Sequence, residues 1–161
     1  MSENELQILK TAILNEMEGQ QFYTLAAEKI SDTETKDAFA FLAKEEGQHK
    51  TWLLNIYQSL SKHQQPQPAP HEEPASPAIF EPGKVTPESG SLEVSVFRIG
   101  ILMEKASVDF YRQAAAQAKT QEVRDLCNHL AGWETHHQEM LEKIYDHLRE
   151  EWWQKQGFSP A

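Results

Sequence analysis

Residues 39–57 read FAFLAKEEGQHKTWLLNIY, and residues 127–145 read CNHLAGWETHHQEMLEKIY. Set against each other at an offset of 88 residues, Leu42-Ala43 falls on Leu130-Ala131, Glu46 on Glu134, His49 on His137 and Ile56-Tyr57 on Ile144-Tyr145. The same offset carries Glu16 onto Glu104, Phe22-Tyr23 onto Phe110-Tyr111 and Ala26-Ala27 onto Ala114-Ala115. Two copies are too few for a solenoid, so the repeat predicts one supersecondary unit used twice.

That unit is a helical hairpin. Seven of the eight prolines lie between Pro66 and Pro87 and the eighth is Pro160, so both flanking segments lack the residue that breaks a helix. Those segments are rich in Ala, Leu, Glu, Gln and Lys, which lose little on entering a helix, and strand signals are nearly absent. Each has a break near its middle. Ser31, Asp32 and Thr33 offer N-cap side chains followed by Glu34 and Asp37, and Lys119-Thr120-Gln121 offers a weaker version. The expected fold is all-α, a single four-helix domain over 1–161, with a hairpin at 4–62, a crossover at 63–90, a second hairpin at 91–153 and a short tail at 154–161. Each helix would run roughly 28 to 34 residues, about 40 to 50 Å. The crossover reads either as a flexible linker or as an extended strap anchored by Ile79 and Phe80.

The apolar seams carry ionisable residues in their middles. At 3-4 spacing, helix 1 presents Leu6, Leu9, Ile13, Glu16, Gln20, Tyr23, Ala27 and Ile30, and helix 2 presents Phe39, Leu42, Glu46, His49, Leu53, Ile56 and Leu60. Helix 3 presents Val94, Phe97, Ile101, Glu104, Val108, Tyr111, Ala115 and Ala118. Helix 4 presents Val123, Cys127, Leu130, Glu134, His137, Leu141, Ile144 and Leu148. Glu16 and Glu46 lie about 15 residues either side of the first turn, so an antiparallel hairpin sets both at one height, roughly 22 Å from it. Glu104 and Glu134 do the same about the second. Four glutamates and two histidines should therefore meet in one buried layer.

Four ionised carboxylates cannot be buried together uncompensated, because each unpaired charge costs many kcal/mol. No Lys or Arg stands on any seam, which leaves protons or metal ions. Two divalent cations would cancel four carboxylates. Glu46 with His49, and Glu134 with His137, stand at i, i+3 on one helix face, where each pair could grip one ion. Oxygen-rich ligands with imidazole and no thiolate suit iron or manganese, and would also accept zinc.

At these residues the chain resembles the ferritin-like di-iron carboxylate proteins, and most closely the rubrerythrin family. The resemblance rests on Glu16 with Phe22-Tyr23, Glu46-Gly47-Gln48-His49, Glu104 with Phe110-Tyr111, and Glu134-Thr135-His136-His137. It implies two iron ions, with Glu16 and Glu104 as terminal ligands, Glu46 and Glu134 as bridges, and His49 and His137 as nitrogen ligands. Tyr23 and Tyr111, seven residues beyond Glu16 and Glu104, would orient ligand carboxylates through their hydroxyls. The chain departs from the family in two ways. It has no cysteine-bearing rubredoxin-like domain, so electrons would come from a separate donor. Ser107 stands where the family carries an additional glutamate, which predicts a more symmetric site.

The expected function is an oxidoreductase that reduces hydrogen peroxide or dioxygen. The alternatives are a ferritin-type iron-binding or ferroxidase module and a di-manganese, catalase-like protein. Composition narrows the setting. With 161 residues, 39% of them apolar, the chain suits one core, and a net charge of −10 disfavours nucleic acid and anionic membranes as partners. The single cysteine, Cys127, excludes an intrachain disulfide framework and reads as a small buried hydrophobe. No apolar run reaches the roughly 18 residues of a membrane span and no signal-peptide pattern opens the chain, so a cytoplasmic location is expected.

Among the remaining residues, Glu18, Glu45, Glu139 and Glu142 read as a solvated face, and His129, His147, His63 and His71 as surface or linker residues. His136 reads as solvated or adjacent to the ligands. Gly19, Gly47 and Gly132 suggest close helix approach beside the site. Trp52, Trp133, Trp152 and Trp153 exceed what a bundle of this size requires, and some of them suggest a dock for the crossover or a subunit interface, with a homodimer as the expected assembly.

Overall fold

Asp32 makes the first turn, as its position requires. Its backbone is extended and its carboxylate accepts from the Thr35 N–H at 2.9 Å and the Thr35 hydroxyl at 2.5 Å, which satisfies donors the helix leaves open. This computed structural model describes residues 3–68 and 91–157. Among them are four helices and no strand: α1 (Glu3–Lys29), α2 (Thr33–Ser61), α3 (Ser91–Gln117) and α4 (Gln121–Lys155). The fold is all-α, and α4 runs two residues further than the sequence pattern predicts.

The second turn uses a different device. Thr120 occupies the N-cap of α4 but makes no cap bond with its own side chain. Glu5 of α1 supplies the cap instead: its carboxylate accepts from the backbone N–H groups of Lys119 at 2.7 Å and Thr120 at 2.6 Å, and from the Thr120 hydroxyl at 3.0 Å. Burial works to raise the Glu5 pKa, yet these donors hold it below its ordinary value. The Glu5 contribution to stability is thus present above the unfolded carboxyl pKa and lost as the pH falls through the lower folded one. Glu5→Ala is expected to destabilise the bundle at pH 7 by about 1–3 kcal/mol, because two backbone donors lose their acceptor. Urea unfolding at pH 7 checks this, and a change below about 0.5 kcal/mol would remove the cap from the account.

The helices pair as two hairpins, α1 against α2 and α3 against α4, with α1 also meeting α3. The polar layer divides the apolar core into two parts, each drawn from all four helices. One is built on Leu9, Ile13, Leu53, Ile56, Tyr111, Val123, Cys127 and Leu130, the other on Tyr23, Phe39, Leu42, Phe97, Leu141, Ile144 and Leu148. Cys127 is fully buried and its thiol is pushed up to about 12, chiefly by burial, so it packs as a hydrophobe.

After α2 the chain continues over the helices. Pro66 is buried, and Gln67 and Pro68 border a small cavity with Trp52, Ile56 and Leu126, so Trp52 does receive the start of the crossover. Ile79, Phe80 and His71 lie outside the described residues. No helix among the described residues is long and apolar enough to cross a membrane.

Candidate metal centre

The hairpin geometry brings Glu16, Glu46, His49, Glu104, Glu134 and His137 into one layer at the middle of the bundle. Both histidines are fully buried and the four glutamates are at most 4% exposed. The ligand atoms form two overlapping groups, Glu16, Glu46, His49 and Glu134 in one and Glu46, Glu104, Glu134 and His137 in the other, each with its atoms within 4.8 Å of one another. Glu46 and Glu134 belong to both groups, so their carboxylates lie between the two halves.

Each histidine turns Nδ1 toward the carboxylates. His49 Nδ1 lies 3.2 Å from Glu134 Oε1 and 3.4 Å from Glu16 Oε2, and His137 Nδ1 lies 3.2 Å from Glu134 Oε2, 3.5 Å from Glu104 Oε1 and 3.6 Å from Glu46 Oε1. Glu16 Oε2, Glu134 Oε2 and His137 Nδ1 are buried without a hydrogen-bond partner. These are lone pairs aimed at lone pairs, an arrangement that only a cation or added protons can reconcile. The donor set of oxygens and imidazole nitrogens therefore fits divalent ions such as iron, manganese or zinc.

The two tyrosines cross between hairpins. Tyr23 of α1 donates to Glu104 Oε1 of α3 at 2.5 Å, and Tyr111 of α3 donates to Glu16 Oε1 of α1. The exchange follows from the repeat, since antiparallel α1 and α3 set each tyrosine opposite the other copy's glutamate. Burial and the nearby carboxylates raise both phenol pKa values well above 10, so both hydroxyls remain donors.

Electrostatics sort the six groups by role. Burial and the surrounding carboxylates hold Glu46 and Glu134 well above the ordinary range, so charge on the two central carboxyls is disfavoured. Glu16 is instead held at about 2, where hydrogen bonding with Glu46 and the charge of His49 overcome the upward pull of burial. Glu104 is lowered in the same way by His137. Burial opposes charge on the histidines too, but Glu16 raises His49, and Glu104 raises His137 well above 6.5. These shifts favour charge on Glu16, Glu104 and the two imidazoles and disfavour it on Glu46 and Glu134. Protons thus offset carboxylate charge in the metal-free layer, as two divalent cations would when bound.

Several expectations need correction. Glu45 is not on a solvated face: its side chain is 11% exposed and Oε2 accepts from His137 Nε2. Trp133 and Trp52 pack on His49, with ring centroids 5.4 and 5.5 Å away, so Trp133 serves neither the crossover nor an exposed interface. His129 is not a free surface residue, since its Nε2 accepts from Trp133 Nε1 at 2.6 Å. His136 is half-buried beside the centre. A side chain at Gly47 would meet Gln20 Nε2 at 2.7 Å, which is close approach, but at Gly132 it would meet nothing within 4 Å, and nothing in the structure explains that glycine. The site is also less symmetric than Ser107 suggests, because the two histidines have different partners behind them. Glu45 was detectable only from the register of α2 against α4, which sets residue 45 across from residue 137.

A comparison with family models matches the one described as Rubrerythrin over residues 7–145, a span that takes in most of both hairpins and all six layer residues. Neither the curated proteins nor the solved structures gave a match. Two helical hairpins, a central layer of four glutamates and two histidines, and a family match over most of its length place this chain in the rubrerythrin family.

Proposed function

We propose that the chain is a non-haem di-iron protein of the cytoplasm that reduces hydrogen peroxide or dioxygen with electrons from a separate donor. The observation that carries this reading is the buried layer itself: four carboxylates and two imidazoles converge with no Lys or Arg among them. A ferrous pair, when bound, supplies two electrons to an O–O bond. Glu16 with His49 would hold one ion and Glu104 with His137 the other, with Glu46 and Glu134 shared between them. Tyr111 and Tyr23 hold the outer carboxylates in orientation through their hydroxyls. Burial raises the pKa values of Glu46 and Glu134, so metal entry would displace protons from these two carboxyls. The two apolar half-cores above and below the layer limit access of water.

A second copy of the chain is the proposed partner of α1, where Leu14, Met17 and Leu25 lie exposed along one stripe and line one groove. The reaction is tested by loading the chain anaerobically with ferrous iron and adding peroxide or air under an absorbance monitor. Ferric absorbance should rise faster with peroxide, with about one peroxide consumed per two ferrous ions. Faster oxidation by air, with ferric iron released into solution, would replace this reading with a ferroxidase, and oxygen evolution by the manganese-loaded chain alone would replace it with a catalase.

A further inference from the structure

The offset that relates the two hairpins pairs Glu45 with Trp133 and Phe41 with His129. At these positions the halves of the centre part company. Behind His137, Glu45 Oε2 accepts from Nε2, which fixes a proton on Nε2 and leaves Nδ1 as the nitrogen that faces Glu104 and Glu134. Behind His49, the place of the carboxylate is taken by the Trp133 indole, perpendicular to the imidazole at 90°. An indole N–H is a donor only, and this one is already given to His129. Trp52 covers His49 from α2, with its centroid 5.7 Å from that of Trp133. His49 Nε2 is consequently buried with no hydrogen-bond partner.

These surroundings change what each imidazole offers a cation. A carboxylate on the remote nitrogen selects the ligating tautomer, orients the ring and makes the ligating nitrogen a better donor, and losing such a partner typically weakens metal affinity about 10- to 100-fold. His49 lacks that support. When its Nδ1 ligates, its Nε2–H must remain in an aromatic pocket without an acceptor, and that unmet donor weighs against the bound state. Resting on the di-metal reading above, we propose that the two ion positions are unequal, with Glu45 acting as a positioning residue that makes the Glu104–His137 position the tight one. The Glu16–His49 position, walled by Trp52 and Trp133, is the weaker and more readily exchanged.

Titration of the metal-free full chain with cobalt(II), followed by calorimetry and by equilibrium dialysis, tests this. The wild-type chain should bind in two steps separated by at least about tenfold. Glu45→Ala should weaken the first step about 10- to 100-fold and narrow the gap, and Glu45→Gln should do so by less. Before cobalt is added, nitrogen-15-labelled histidine should show a hydrogen-bonded Nε2–H on one buried ring that is lost in Glu45→Ala while the signals of the other buried ring are unchanged, a pattern that general loosening of the bundle would not produce. Two ions bound with equal affinity, or equal weakening of both steps by Glu45→Ala, would overturn the inequality and leave the di-metal reading standing. No cobalt bound by the wild type would overturn both.

Discussion

Replacing Glu46 and Glu134 together by glutamine is expected to abolish binding of the ion pair and, at the same time, to make the metal-free chain more stable at pH 8. The two effects have opposite signs because the same carboxyls serve the metal and burden the fold. Both are completely or almost completely buried, and both are held well above the ordinary carboxyl pKa by burial and by each other's neighbours. Without metal, raising the pH forces charge onto groups that face no Lys or Arg in the layer and that lose the imidazolium charges as well. Glutamine matches their shape, keeps hydrogen-bonding capacity and cannot ionise. Replacing buried ionic groups by neutral ones of similar volume stabilises proteins by about 1–4 kcal/mol in favourable cases, which for a chain of this size is a rise of several degrees in Tm, at roughly 2–4 °C per kcal/mol. Thermal melts in chelator and metal analysis of the same preparations check both halves. A double variant less stable than the wild type in chelator at pH 8 would show that the carboxylates are compensated by something other than protons.

Metal entry should also expel protons in a countable way. In mildly acidic solution the raised pKa values favour one proton on each of the Glu46 and Glu134 carboxyls and a second proton on each of the His49 and His137 rings, and ligation displaces these four protons. At pH 6, binding of two divalent ions should release about four protons, measured by calorimetry in buffers of different ionisation enthalpy. The linkage has a definite sign in the metal-free chain. Groups with raised folded pKa values give stability that is complete below their unfolded values and disappears as the pH rises through the folded ones. Glu46, Glu134, His49 and His137 are all of this kind. Glu16 and Glu104 are lowered and act oppositely, their contribution being present above the unfolded value of 4.5 and lost as the pH falls toward the folded ones. Metal-free stability should thus peak in mildly acidic solution and decline toward pH 9, while the metal-loaded chain should not decline. Release of fewer than about one proton per pair of ions would mean that the ligands are already deprotonated before binding.

The fold and the six central residues were legible for one physical reason. A bundle seam at 3-4 spacing is apolar unless something requires otherwise, and Glu16, Glu46, Glu104 and Glu134 interrupt four such seams at one height. The repeat made the interruption visible twice, and the cluster of prolines set the limits of the helices. What stayed hidden depends on contacts between distant segments. Glu5 caps α4 from 115 residues away, so the weak signal at Thr120 gave no hint of its partner. Glu45 lies off the seam of its own helix and becomes buried only because α4 brings His137 to it. Trp133 reads as surplus aromatic surface until the bundle sets it against His49. Helical periodicity reports which face of an element is buried, and it does not report which residue of another element meets a side chain at the margin of that face.

The metal content of the reconstituted chain tests the central claim most directly. The protein is loaded anaerobically with excess ferrous iron, passed through a desalting column and analysed for iron and protein together, with the Glu46→Gln/Glu134→Gln variant alongside. The account predicts about two irons per wild-type chain and none in the double variant, accompanied by a higher melting temperature for the loaded wild type. A wild-type chain that emerges without iron, manganese or zinc after loading with each, and that melts at the same temperature with and without them, would contradict it.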